Sequence, residues 1–274
     1  MKVVGHPGSG RLSVVVWRRI VWEQRVRLPL IVAFSFAWGF LLVTLYGHLS
    51  PQERNLGPQE VQIALRLLGI DPLAAWVTVG QEHPLFLGAA TLFLVGGGVR
   101  AIAGELEGGT LELVLSRPLS RTRYLLSWIG VLVPGAAAIA LAYSLGCILA
   151  WELFTPADGH LEPWAMLLSA VYTLFLLAAI AGASLLCSAL SSERGRALSW
   201  AAGIVVGSYA WNFLLSLVSS LRPLARISPW WYFAPGSVIE GGAIPWLDAS
   251  VLLAIALVTG GLALWIFARR DLVS

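Results

Sequence analysis

Charged residues are scarce in this sequence: Asp, Glu, Lys and Arg make up 12% of its 274 residues, whereas hydrophobic residues make up 58%. Soluble globular domains carry about 25% charged residues, so the composition excludes a water-soluble fold. The isoelectric point is about 9.1, but the basic residues lie between apolar runs and do not form the solvated basic face that nucleic acids require. We therefore expect no nucleic-acid partner.

Residues that mark catalytic and metal sites are also few. The two cysteines, Cys147 and Cys187, both lie inside apolar runs without metal-ligand spacing, as is typical of small buried hydrophobic residues. The four histidines are scattered along the chain, and no G-x-x-x-x-G-K-[ST] phosphate loop occurs. We expect this chain to have no catalytic residues, no metal site and no bound cofactor.

Long apolar runs are abundant instead. A membrane-spanning helix needs about 20 apolar residues, and six runs meet that need: 29–49, 84–103, 124–150, 164–190, 197–220 and 246–268. The first run is longer than the core of a signal peptide, so it is predicted to remain as a helix. The sequence predicts an all-α, multi-pass membrane protein with a single domain over residues 1–274.

The positive charges predict how the helices are oriented. With the N-terminus in the cytoplasm, fourteen of the 18 Lys and Arg residues fall on the inner side, and the other four are Arg54, Arg66, Arg222 and Arg226. Such a bias marks the cytoplasmic side, so both termini are predicted to be cytoplasmic. Residues 50–83 and 221–245 then form long outer loops.

The predicted cytoplasmic loop at residues 104–123 is unusually rich in charge. It forms the first part of the stretch GELEGGTLELVLSRPLSRTRYLL. Gly108 and Gly109 free the backbone, Thr110 is predicted to be the helix N-cap, and Pro118 is predicted to end the short helix that follows. Ser120 can cap the next helix. A stripe of apolar side chains shares one face of the short helix: Leu111, Val114 and Leu115. The helix either lies on lipid head groups or seats in a protein groove, and its acidic rim favours the groove because the inner leaflet is anionic.

This loop resembles the loop after the second span of ABC-2 type permeases, the membrane subunits of one class of ATP-driven transporter. WRRIVWEQRVRLPLIV near the N-terminus, RISPWWYFAPGSVIEGG in the last outer loop and FARRDL at the C-terminus resemble the same family. The resemblance implies an ABC-2 fold of the type V exporter class, with an interfacial elbow helix at 11–28 and a coupling helix at 106–117. It also implies an ATPase-contacting set: Glu105, Glu107, Thr110, Leu111, Glu112, Val114, Leu115 and Arg117.

The resemblance further implies the partners and the role. Two permeases, identical or related, would pair in a bacterial-type cytoplasmic membrane, and two ATP-binding subunits would carry ATP and magnesium. The complex would export a lipophilic or amphipathic substrate such as a drug, an antibiotic or a lipid-like molecule. The alternative is a membrane anchor or assembly component, for example in cofactor maturation, that binds a cytosolic partner without transport.

The fifth apolar run carries a polar stripe. Ser208, Asn212, Ser216 and Ser219 recur at helical spacing, with Gly203 and Gly207 slightly off the stripe. Such residues either hydrogen-bond between packed helices or line a translocation path. The family resemblance, which implies that the second and fifth spans lie near the dimer axis, makes the path a possibility to test.

Overall fold

A computed structural model describes residues 9–49, 71–116, 119–154, 160–218 and 220–270, apart from the side chains of residues 9–13 and 115. Within these ranges all regular secondary structure is helical. The helices are α1 (Ser9–Gln24), α2 (Arg27–His48), α3 (Pro72–Glu82), α4 (Pro84–Val99), α5 (Glu105–Glu107), α6 (Thr110–Leu115), α7 (Arg121–Phe154), α8 (Pro163–Leu190), α9 (Arg194–Ser216), α10 (Pro235–Gly241) and α11 (Trp246–Arg269). A π-helical turn, Arg100–Gly104, joins α4 to α5, and two 3-10 turns, Arg222–Ile227 and Pro229–Tyr232, precede α10.

Six of the helical segments in the described ranges are long and apolar enough to cross a membrane. They cover Arg27–His48, Pro72–Glu107, Arg121–Phe154, Pro163–Leu190, Arg194–Ser216 and Trp246–Arg269. This confirms the predicted all-helical class with six candidate spans. Several helices begin at a proline, among them Pro72, Pro84 and Pro163, because a first-turn residue needs no N–H donor.

The second of these segments is longer than the sequence predicted. The sequence places residues 72–82 in an outer loop of residues 50–83, but they form α3; of that predicted loop, residues 50–70 lie outside the described ranges. Asp71 caps α3 by accepting the Leu73 N–H at 2.7 Å. The helix then breaks at His83, whose ψ of 137° is extended, because the following Pro84 disfavours helical geometry. In the sequence, the polar residues Gln81, Glu82 and His83 separate the apolar part of α3 from the run that begins at Pro84, so residues 72–80 are not recognised as part of a span.

The centre of the bundle is α8, which packs against α4, α7, α9 and α11. Close approach between α2 and α7 depends on glycine: a Cβ added to Gly39 would meet the backbone of Tyr143, and one added to Gly146 would meet that of Phe36. Small residues allow such contacts in membranes, where tight packing replaces the hydrophobic drive between helices. The crossing therefore fixes the first span against the third.

A buried polar cluster holds α3 to α8. Gln81 is fully buried; its amide donates to the Thr173 hydroxyl at 2.6 Å, and its oxygen accepts from the Ser169 hydroxyl at 2.9 Å. Tyr143 adds a hydrogen bond of 2.6 Å from its hydroxyl to the Val77 carbonyl. Satisfied polar groups of this kind rigidify a core, so α3 is a fixed part of the bundle.

Arginines from helices far apart in sequence lie together at the end of the bundle opposite the Gln81 cluster. We call this end, which includes Arg121 and Arg270, the basic end. Arg270 donates to the carbonyls of Ala189 and Ser191 at 3.0 and 2.8 Å, and Arg121 donates to the carbonyl of Arg270. Burial lowers the pKa of Arg270. These contacts tie the end of α11 to the end of α8 and the start of α7.

Candidate functional site

The loop after the second span folds into α5, a glycine turn and α6. Gly109 has a φ of 66°, a left-handed conformation that glycine adopts without strain. The sequence predicted Thr110 as the helix N-cap, and this is wrong: Gly109 holds the cap position, and Thr110 is the first residue of α6. The Thr110 hydroxyl donates instead to the Glu105 carboxylate, which ties the start of α6 to α5. The predicted cap at Ser120 is present, since its hydroxyl accepts the Arg123 N–H at 3.3 Å.

Glu105 belongs to an ion-pair ring that the sequence did not reveal. Arg19 of α1 lies 3.1 Å from Glu105 and 2.9 Å from Glu23, and Arg100 lies 3.2 Å from Glu23 and 3.7 Å from Glu105. Glu105 is 4% exposed. Burial lowers the pKa of Arg19, but Glu105 and Glu23 more than offset this and leave that pKa raised. The ring joins α1 to the loop and to the end of the second span.

Glu107 makes a second internal contact. Its carboxylate accepts the backbone N–H of Arg194 at 2.6 Å, at the first residue of α9. A helix N-terminus carries partial positive charge and favours an anion there. The loop is thereby joined to the fifth span as well as to α1.

The side chains that α6 exposes are not the ones that the sequence predicted to face a partner. Leu111 is fully buried within the chain, and Val114 is partly buried against the same core. Leu113 is 71% exposed, and Glu112 is exposed beside it. Helical periodicity identifies which residues share a face but not which body that face packs against. The expectation that Leu111 is free for a partner is therefore wrong, because this leucine serves the chain's own core.

Two further residues of the predicted ATPase-contacting set lie beyond what the structure describes, namely the side chain of Leu115 and all of Arg117. Around the remaining residues, a groove of about 350 Å³ runs between α1 and α6. It is mainly apolar, and it is lined by Val15, Val16, Arg19, Thr110, Leu113, Val114 and Leu119. The outward surface of the loop therefore combines Leu113 and Glu112 with the edge of α1.

The residues of the polar stripe in the fifth span differ in their contacts. The Ser208 hydroxyl accepts from the Trp230 indole at 3.0 Å, and the Ser208 carbonyl accepts from Ser228 at 2.8 Å. These bonds anchor the turn Pro229–Tyr232 and favour packing as the role of Ser208. Ser216 is exposed and bonds the Asn212 carbonyl at 2.6 Å, and Ser219 lies outside the described residues.

Asn212 is the member of the stripe whose role the packing does not explain. Its Oδ1 atom is buried and has no hydrogen-bond partner among the described residues. A buried unsatisfied amide oxygen costs about 1–3 kcal/mol, which is unusual without a functional or binding role. On the neighbouring face, Gly203 and Gly207 have open space around them, so that face of α9 is free to pack against another body.

Together these features describe an all-helical, multi-pass membrane protein with six candidate spans and a structured, charged loop after the second span. The sequence pattern of the ABC-2 family transporter proteins matches residues 22–272. The chain therefore belongs to the ABC-2 transporter family, whose members are membrane subunits that usually pair with an ATP-binding subunit. A comparison with curated proteins found no match.

Proposed function

We propose that this chain is the permease subunit of an ATP-driven exporter in a bacterial-type cytoplasmic membrane. Two permeases would pair, as copies of this chain or with a related chain, and two ATP-binding subunits carrying ATP and magnesium would dock on the cytoplasmic side. Membership of the ABC-2 family supports the permease role. The observation that carries the docking role is the outward display of Leu113 and Glu112 on a helix that its own chain holds in place.

The docking surface must be rigid for movement of an ATPase to reach the membrane. Here α6 is held by the buried Leu111, by the bond between Thr110 and Glu105, and by the ion-pair ring. Exposed ion pairs contribute only about 0–1 kcal/mol each, so Glu112 would tune the partner contact and Leu113 would supply most of its affinity. Positive charge at the basic end supports the cytoplasmic placement of this loop.

A lipophilic or amphipathic substrate fits the apolar surfaces within the spans. A groove of about 300 Å³ lies between α8, α9 and α11, and its lining includes Leu176, Ile204, Trp230 and Ile255. Ligand pockets are lined mostly by apolar side chains, as this groove is; the Ser208 hydroxyl, which also borders it, is already bonded to the Trp230 indole. Access from the bilayer would suit molecules that partition into lipid.

The test is reconstitution with the ATP-binding subunit that co-purifies with this chain from its native membrane. The pair is purified in lipid nanodiscs and assayed for ATP hydrolysis with a panel of lipophilic cations, amphiphilic antibiotics and lipids. Inverted vesicles are assayed in parallel for ATP-dependent uptake of the compounds that stimulate hydrolysis. Stimulation and uptake are expected for at least one compound class. A stable complex whose hydrolysis ignores every compound, with no uptake, would instead favour an anchoring or assembly role.

A further inference from the structure

The π-helical turn Arg100–Gly104 lies at the junction between the second span and the loop. At this turn the Glu105 N–H donates to the Arg100 carbonyl, five residues earlier, whereas an α-helix uses the carbonyl four residues earlier. A π turn contains one residue more than the α-helical path. The extra residue therefore sets the orientation of the helices that follow the turn, α5 and α6.

Ser188 of α8 occupies the place of one lost α-helical bond. Its hydroxyl donates to the Val99 carbonyl at 2.8 Å and accepts the Ala103 N–H at 2.9 Å. In an α-helix these two backbone groups would bond each other. The Ser188 hydroxyl is therefore inserted between two hydrogen-bonding groups of the helix backbone, which is one of the recognised causes of a local helix distortion. Ser188 is fully buried.

Tyr124 of α7 satisfies the other lost bond. Its hydroxyl donates to the Ala101 carbonyl at 2.8 Å, the group that Glu105 would use in an α-helix. The Trp128 indole donates to the same hydroxyl at 3.1 Å and orients it. Two side chains from two other spans thus hold the turn open, and Tyr124 is itself 2% exposed.

Closing the turn to an α-helix would rotate the following segment. Adding one residue to the helical path turns the chain by about 100° and advances it about 1.5 Å. Glu105 would then leave Arg19, and Leu111 would leave its buried position. The present geometry of the ion-pair ring and of α6 therefore depends on the π turn.

We propose that Ser188 and Tyr124 are positioning residues that hold the π turn and thereby set the rotational register of α5 and α6 for coupling. The functional half of this statement rests on the proposed permease role. The geometric half does not, because the orientation of Leu111 can be measured without any partner.

The experiment measures thiol alkylation at Leu111→Cys, with Cys147 and Cys187 both replaced by Ala. Leu113→Cys, which is exposed, gives the reference rate. Leu111→Cys is expected to be protected in the parent chain. With Ser188→Ala and Tyr124→Phe together, its alkylation is expected to rise to the rate seen at Leu113→Cys.

Two controls separate register from general loosening. Ser184→Ala removes a buried hydroxyl one turn earlier on α8; among the described residues this hydroxyl bonds the Ile180 carbonyl alone, at 2.7 Å. Tyr143→Phe removes a buried bond to a backbone carbonyl near Gln81. Both changes are expected to leave Leu111→Cys protected.

Deleting Ala101 provides the second test. The deletion removes the extra residue, so it is expected to be tolerated alone and to restore protection of Leu111→Cys in the double variant. Continued protection without the deletion would overturn the proposal, because the two hydroxyls would then not set the register. Reactivity that the deletion fails to reverse, or a deletion that prevents folding, would also overturn it.

Coupling supplies the functional readout. With the ATP-binding subunit bound, the double variant is expected to lose substrate-stimulated hydrolysis while retaining basal hydrolysis, and the deletion is expected to restore stimulation. If no ATP-binding subunit associates even with the parent chain, the permease proposal fails, and the alkylation result still decides the role of the π turn.

Discussion

Leu113 offers the sharpest test of the proposal that α6 docks an ATP-binding subunit. The side chain is 71% exposed, whereas Leu111 two residues earlier is fully buried. Burying a leucine side chain is worth about 1.5–3 kcal/mol. Truncating the exposed part of Leu113 to Ala should therefore remove roughly 1–2 kcal/mol of binding free energy, which corresponds to a loss of affinity of about 5- to 30-fold.

Leu111→Ala should lower the stability of the chain, which is a different quantity from its affinity for the partner. Removing a fully buried leucine side chain typically costs about 2–5 kcal/mol of stability. The thermal midpoint of Leu111→Ala should fall, whereas that of Leu113→Ala should stay near the parent value. An aspartate at position 111 would bury a charge and disturb the fold, so such a variant is a poor probe of partner binding.

The assay is interferometry between the chain in lipid nanodiscs and its ATP-binding subunit, alongside thermal unfolding of the same samples. Leu92→Ala is the matched control, because Leu92 is 76% exposed but lies within the second span. Glu112→Gln should weaken binding less than Leu113→Ala, since an exposed ion pair contributes about 0–1 kcal/mol. Parent-like affinity for Leu113→Ala would refute the argument that this surface docks the partner.

Three other measurements follow from the structure. Gln81→Leu removes both buried side-chain bonds to α8, so the free energy of unfolding should fall by about 1–3 kcal/mol, seen as a lower thermal midpoint; an unchanged midpoint would mean that the cluster does not hold α3. Asn212→Leu should change substrate-stimulated hydrolysis while the permease pair still forms, and failure of pairing would show instead that Asn212 packs helices. Gly195→Cys should react with impermeant maleimide only in inverted vesicles and Ile227→Cys only in intact cells, and the reverse pattern would overturn the orientation.

The spans could be predicted because apolar length is nearly decisive in a membrane. Each run of about 20 apolar residues has to bury its backbone groups in a helix, and five of the six predicted runs match a helix with shifted ends. The exception is the second, where Pro84 divides α3 from α4 and the outer part reads as a loop. The burial of Gln81 does not follow from the sequence, because only a buried amide needs protein partners, and a glutamine in a predicted outer loop can bond water instead.

The details of the loop depended on residues distant in sequence. The sequence shows that Glu105 carries a negative charge but not what it pairs with, because its partner Arg19 is 86 positions away. Leu111 and Leu113 are equally apolar, and only the packing of α6 decides which one is buried. The π turn depends on Ser188 and Tyr124, which local patterns in Arg100–Gly104 do not reveal.

Site-specific photo-crosslinking from position 113 in native membranes tests the central claim most directly. A photoreactive residue replaces Leu113, and a second chain carries it at Leu111 as the buried control. The account predicts an adduct from position 113 with a protein identified by mass spectrometry as an ATP-binding-cassette ATPase, and only intramolecular products from position 111. Adducts from position 113 that contain lipid alone, or an ATPase adduct from position 111 in its place, would contradict it.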